Sequence, residues 1–204
     1  MESRYGSALE RSKIQDTTIM NLDHLKTDET GWGYLPDTPE VFDILTETIR
    51  ITEVRKLLEI GFYAGHSTSY WAELMPKYSK IISCCPDHSK ARECAPIVMK
   101  KYPRKVIVHL IPSPDIYKKL KRKWFDLAFI DGNHSNRNVI QDTDMCDRLE
   151  IPYRIYDNVE WKSIRKIISN LESIGDIEIV REFSYMADFK GKVSRNQMTL
   201  VKKL

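Results

Sequence analysis

Three residues in the second half of this chain, Asp131, Asp157 and Asn158, offer hard oxygen donors. Two carboxylates and an amide carbonyl suit Mg²⁺ or another hard divalent cation, with water or substrate oxygens completing the octahedron. Each follows an apolar run that reads as a strand, so neighbouring strands would bring all three to one ion. Asp131-Gly132-Asn133 and Asp157-Asn158 are also ordinary turn and capping sequences. Their joint placement favours the metal reading over either turn taken alone. His134 lies three residues beyond Asp131 and is a candidate general base, because imidazole titrates near neutrality. Trp161 follows Asn158 by three residues and could wall a substrate pocket or pack under the next helix.

A second constellation stands earlier in the chain. Leu57-Leu58-Glu59-Ile60 ends an apolar run in a carboxylate, and Gly61-Phe62-Tyr63-Ala64-Gly65-His66-Ser67 then brackets a tight turn with two glycines before a helical pattern. Glycines permit a close backbone approach, and a helix N-terminus supplies free N–H groups. The spacing, Glu-x-Gly-x-x-x-Gly-x-Ser, is neither the dinucleotide fingerprint nor a P-loop. It predicts a nucleotide-like cofactor at the first strand-to-helix crossover of an open sheet. His66 reads as a surface or cofactor-edge residue rather than a catalyst.

The elements that must position these groups follow from apolar periodicity. Thr38-Pro39-Glu40 predicts a helix start, with Val41, Phe42, Leu45, Ile49 and Ile51 as its apolar stripe. Strands are predicted at 56–60, 80–84, 105–110, 125–130, 153–157, 177–183 and 197–203. Helices are predicted near 66–76, 88–102, 114–122, 136–149 and 160–173. The fold class is therefore α/β: a Rossmann-like, seven-stranded, mostly parallel sheet with helices on both faces and an antiparallel edge strand. The last two strands are expected to pair antiparallel at one edge across a loop at about 184–196. Residues 1–36 read as a polar N-terminal arm with one short helix, and 37–204 as the single domain.

Composition bounds the function. The 204 residues are 42% hydrophobic and 30% charged, with a net charge of +3. That suits one soluble domain, and it permits a nucleic-acid partner without requiring one. No apolar leader or membrane span is visible, so a cytoplasmic protein with no membrane association is expected. Cys84, Cys85, Cys94 and Cys146 are expected to be reduced and buried, since their spacing does not read as a zinc site. The run Lys118-Lys119-Leu120-Lys121-Arg122-Lys123 reads as a solvated helix end.

These motifs resemble a known family. Leu58 to Ser67 resembles motif I of class I S-adenosylmethionine-dependent methyltransferases. Phe125-Asp126-Leu127-Ala128-Phe129-Ile130-Asp131 and Ile155-Tyr156-Asp157-Asn158-Val159-Glu160-Trp161 are similar to the metal-dependent branch, the catechol and caffeoyl-coenzyme A O-methyltransferases. The resemblance covers about residues 37–204. It implies that Glu59 and Ser67 hold the methionine end of S-adenosylmethionine, that Gly61, Tyr63 and Gly65 line it, and that Ser113 meets the adenine. It implies Asp131, Asp157 and Asn158 as ligands to Mg²⁺, with Asp131 also at the cofactor edge and at the reacting hydroxyl.

Three departures mark a divergent member. His134 stands where relatives often carry a lysine. Cys85 stands where an acid usually binds the ribose, so either Asp87, two residues on, substitutes for it or cofactor affinity is reduced. Leu149-Glu150-Ile151-Pro152 replaces a Gly-Gly turn. The expected acceptor is a small-molecule hydroxyl (phenol, catechol or sugar). The alternatives are a hydroxylated nucleoside in RNA, or a non-catalytic binding domain. In and beside the 184–196 stretch, Phe183, Tyr185, Met186 and Phe189 interleave with Lys190, Lys192 and Arg195, which suits either a planar substrate or a phosphate backbone. A homodimer is compatible with the free sheet edge.

Overall fold

The computed structural model describes residues 35–189 and 191–204, and the backbone but not the side chain of Phe189. The expected N-terminal arm up to Tyr34, and Lys190, lie outside the described residues. Helix α1 (Pro39–Thr52) starts where the sequence predicts, with the Thr38 hydroxyl accepting from the Val41 N–H. Its buried face is Val41, Ile44, Leu45, Thr48 and Thr52. Then follow β1 (Lys56–Ile60), α2 (His66–Leu74), β2 (Lys80–Cys84), α3 (Ser89–Lys101), β3 (Val106–His109), α4 (Ser113–Ile116), β4 (Leu127–Ile130), α5 (Asn136–Arg148), β5 (Tyr153–Tyr156), α6 (Lys162–Ser173), β6 (Ile177–Phe189) and β7 (Lys192–Lys203).

The seven strands form one sheet in the order β3-β2-β1-β4-β5-β7-β6. The first five are parallel. β7 inserts antiparallel between β5 and β6, and β6 forms the edge, antiparallel to β7. The expected α/β architecture and its antiparallel edge pair are therefore present. Two details differ. The helix expected over 114–122 is four residues of α4 and a 3-10 turn at Tyr117–Lys119. The expected 184–196 loop is strand through Phe189 and again from Lys192.

The sheet's alternation builds two cores. Leu57, Ile81, Leu127, Phe129 and Ile155 face α1, α2 and α3, with Trp71 beneath them. Leu58, Ile60, Ala128, Ile130 and Tyr156 face α5 and α6. Because side chains alternate along a strand, the residues in step with Leu57, Phe129 and Ile155 on the first face are Glu59, Asp131 and Asp157. The sheet thus delivers three carboxylates to one side of one end.

Entry to β5 shows why the shortened turn is tolerated. Glu150 adopts φ +56°, the left-handed conformation a glycine would take at less cost. Its carboxylate is paired with Arg122 and, at 3.0 Å, with Lys123. The lysine-rich run is thus partly engaged in tying the two loops together. The four cysteines are all buried, and none forms a disulfide.

Candidate active site

The ladder continues past the strand ends and fixes the geometry. Asp131 N–H donates to the Ile60 carbonyl at 2.9 Å, and Asp157 N–H to the Ile130 carbonyl at 3.1 Å. Gly61 N–H donates to the Cys84 carbonyl at 2.9 Å. Gly61, Asp131 and Asp157 therefore stand side by side across three adjacent strands.

On the β1 side, Glu59 is completely buried. One carboxylate oxygen accepts from Ser67 at 2.6 Å, and the other accepts from Thr68 and Ser83. Burial pushes its pKa up to about 7, with the three hydroxyls opposing that shift and Asp131 adding to it. Glu59 and Ser67, both expected at the methionine end of the cofactor, lie against each other, with Thr68 and Ser83 beside them. Gly65 caps α2 at φ +82°, and a Cβ there would lie 2.7 Å from the Phe62 ring. Tyr63 takes φ +43°, and its ring lies 5.6 Å from that of His88. His66, expected at the surface or a cofactor edge, is instead buried in the first turn of α2.

Cys85 is buried against this turn. Burial raises its thiol to about 11, although the Tyr63 and Phe62 backbone N–H groups bond to it. A neutral thiol therefore occupies the place where the resemblance expects an acid. Asp87 is exposed and held by Arg92 through two hydrogen bonds of 2.7 and 2.8 Å, which lower its pKa. Ser113 donates to Asp142, a buried carboxyl whose pKa is raised by burial to about 6. Nothing in the sequence flags Asp142, since mid-helix carboxylates are usually solvated.

On the β4 and β5 side, Asp131 faces His134, with Nε2 3.3 Å from Oδ1. The His134 ring meets Trp161 edge to face at 5.0 Å. Trp161 is 45% exposed, so it walls the site rather than filling the core. Asp157 is buried and accepts from the Tyr185 hydroxyl at 3.0 Å. Burial raises the pKa of both carboxyls, and Asp131 raises Asp157 further, to well above the usual range. Asn158 sits at φ +55°, with its amide nitrogen donating to Glu160 at 3.4 Å. A small pocket beneath is lined by Ile130, Gly132, His134, Asp142, Tyr156 and Asp157, among others.

No group of three or more His, Cys, Asp or Glu is arranged to hold a metal among the described residues. The set present is two carboxylates and an amide oxygen. Neither Asp131 nor Asp157 is ion-paired with a lysine or arginine among those residues. Two adjacent carboxylates whose ionisation is opposed by burial and by each other are the kind of site a cation relieves. With its nitrogen turned to Glu160, Asn158 keeps its amide oxygen for such a ligand. The donor set therefore fits a hard divalent ion.

Residues 58–150 match the family model described as "Methyltransferase domain". That segment contains the whole Glu59 turn, Asp131 and His134, and it stops short of Asp157-Asn158. Solved structures share the fold over nearly the full chain. The O-methyltransferase TomG from Streptomyces achromogenes, involved in tomaymycin synthesis and solved with SAM, is 18% identical, with a TM-score of 0.66 over 100% of this chain and 99% of that one. The Bacillus cereus O-methyltransferase, solved with SAH, is 16% identical, with a TM-score of 0.66 over 96% of this chain and 97% of that one. A putative caffeoyl-CoA O-methyltransferase from Staphylococcus aureus is 13% identical, with a TM-score of 0.62 over 97% of this chain and 93% of that one. No curated protein sequence matches the chain. Among the described residues, no helix is long and apolar enough to cross a membrane.

Proposed function

We propose that this chain is a methyltransferase that moves the methyl group of S-adenosylmethionine to a hydroxyl oxygen of a small molecule carrying two adjacent oxygens, with a divalent cation, Mg²⁺ or similar, at Asp131, Asp157 and Asn158. The observation that carries the reading is the alignment of Gly61, Asp131 and Asp157 across three strands. It sets the Gly61 turn, read here as the cofactor turn, beside two carboxylates that have no lysine or arginine partner among the described residues.

The donor supplies an activated methyl sulfonium; Glu59, backed by Ser67, Thr68 and Ser83, would receive its ammonium end. Gly61 and Gly65, where a Cβ would strike the Asp131 carbonyl and the Phe62 ring, let the turn take the shape that would line the donor, and Ser113 with Asp142 would stand at the adenine side. Asp87 would need to leave Arg92 to reach a ribose, so the grip there falls to backbone groups around Cys85. When bound, the cation would lower the pKa of the acceptor hydroxyl and fix its orientation. Asp131, Asp157 and Asn158 would hold it. In the tautomer that carries its proton on Nε2, His134 would donate to Asp131 and Nδ1 would take the hydroxyl proton. Trp161 shields that imidazole and offers an aromatic wall to a planar acceptor. Holding nucleophile and methyl group in line is worth roughly 7–11 kcal/mol of barrier in favourable cases.

The hairpin favours a small acceptor over RNA. Phe183 packs on the first core and Tyr185 is buried against Asp157, so neither is available to stack on bases. A membrane partner has no support in the described helices, and a homodimer through the β6 edge is compatible with this reading.

Asp157→Ala should reduce transfer of labelled methyl groups to catechol-type acceptors by roughly a hundredfold or more, the scale of losing a directly acting charge. Donor affinity, read by calorimetry, should be nearly unchanged. Full transfer by this variant would overturn the assignment.

A further inference from the structure

The β6–β7 hairpin runs well past the strand it joins. β5 meets β7 only from Tyr153↔Lys202 to Tyr156↔Thr199, whereas β6 and β7 stay paired out to Phe189↔Lys192. The extra length reaches back to the site. Tyr185, only 3% exposed, donates from its hydroxyl to Oδ1 of Asp157. Its cross-strand partner is Asn196, 8% exposed, whose side chain bonds to the same phenol. Asn196 in turn accepts from Ser194 Oγ at 3.0 Å.

A second set of bonds ties the following loop to the same strand. Val159 N–H donates to the Gln197 carbonyl at 3.0 Å, and Gln197 N–H donates to Glu160 at 2.9 Å. The other oxygen of Glu160 accepts from the Asn158 amide. Arg165 closes the set by donating to the Gln197 side chain. Asp157 and Asn158 are therefore both held from the hairpin.

We propose that Tyr185, backed by Asn196, is a positioning residue for the cation site: it bonds to Oδ1 of Asp157 and so fixes the rotation at which that carboxylate would meet the ion. The assignment rests on the reading of Asp157 as a cation ligand. A hydrogen bond of this kind orients a ligating carboxylate, and its loss typically costs about ten- to a hundredfold in metal affinity. It also makes the hairpin part of the acceptor half of the site. If Tyr185 were only a buried phenol satisfying its own hydroxyl, its removal would affect stability and leave metal affinity alone.

The test is a Mn²⁺ titration followed by loss of the free-ion paramagnetic signal, at fixed pH and with S-adenosylhomocysteine bound. Tyr185→Phe should weaken Mn²⁺ binding about ten- to a hundredfold, with S-adenosylhomocysteine affinity unchanged and a cooperative melt retained. Asn196→Ala, which keeps the phenol but removes its support, should weaken it in the same direction by less. It decides the question should Tyr185→Phe fail to fold. Wild-type Mn²⁺ affinity in a folded Tyr185→Phe, or in Asn196→Ala when that variant decides, overturns the role of Tyr185 alone. Absence of any Mn²⁺ binding by wild type that Asp157→Ala abolishes overturns the cation reading, and this inference with it.

Discussion

Gly61→Ala should lower the melting temperature sharply and remove donor binding with it. Gly61 has φ +114°, and a Cβ there would fall 2.0 Å from the Asp131 carbonyl oxygen and 3.0 Å from the Gly132 nitrogen. Both obstacles are backbone, so no rotamer change relieves them. β1 and β4 would have to part at their carboxyl ends, where Asp131 N–H bonds to Ile60. Backbone strain and overpacking together cost roughly 3 kcal/mol or more, which for a chain of this size is a drop of roughly 6–12 °C. Gly175→Ala is the matched control: φ is +72°, yet nothing lies within 4 Å of the added carbon. It should cost only about 1–2 kcal/mol, from φ alone. Thermal melts of the two variants check this, and a Gly61→Ala protein as stable as Gly175→Ala would show that the two halves of the site are not locked together as described.

The second large effect is a pH dependence centred on Glu59. Its pKa is raised to about 7, so below that pH the folded protein holds this carboxyl protonated and neutral. A neutral carboxyl cannot form an ion pair with the donor's ammonium. Affinity for S-adenosylmethionine should therefore rise about tenfold per pH unit up to about 7 and level off above, as linkage to one proton requires. Stability moves the other way. The raised group binds its proton more tightly folded than unfolded, so stability without donor declines as pH climbs from about 4.5 to about 7. The decline is on the order of 3–4 kcal/mol. Glu59→Gln should flatten both profiles and leave donor binding weak throughout. Calorimetry from pH 5.5 to 8.5 reads the first profile and urea melts the second. A wild-type affinity that is independent of pH would remove Glu59 from the donor site.

Much of this was legible from residue order because the relevant signals are local. Glu59-x-Gly61-x-x-x-Gly65-x-Ser67 is a strand end, a turn and a helix start in one segment. Asp131 and Asp157 each close an apolar run, and parallel strands place such ends together. What escaped depends on distant partners. Thr68 and Ser83 reach Glu59 from different elements, so no spacing announces them. Asp142 is a helical carboxylate whose burial arises only when α4 brings Ser113 against α5. The 184–196 stretch looked like a loop because its polar residues are numerous. Its alternation of Phe183, Tyr185 and Ala187 with Ser184, Met186 and Asp188 was a strand pattern all along. Its length was concealed because much of the hairpin lies beyond β5 and faces solvent.

Methyl transfer to a vicinal-diol acceptor, measured in EDTA and again after Mg²⁺ is restored, tests the central claim most directly. The arrangement of Asp131, Asp157 and Asn158 beside the Glu59 turn predicts near-complete loss in EDTA, recovery on adding Mg²⁺, and no recovery in Asp157→Ala. Undiminished transfer in EDTA would contradict it.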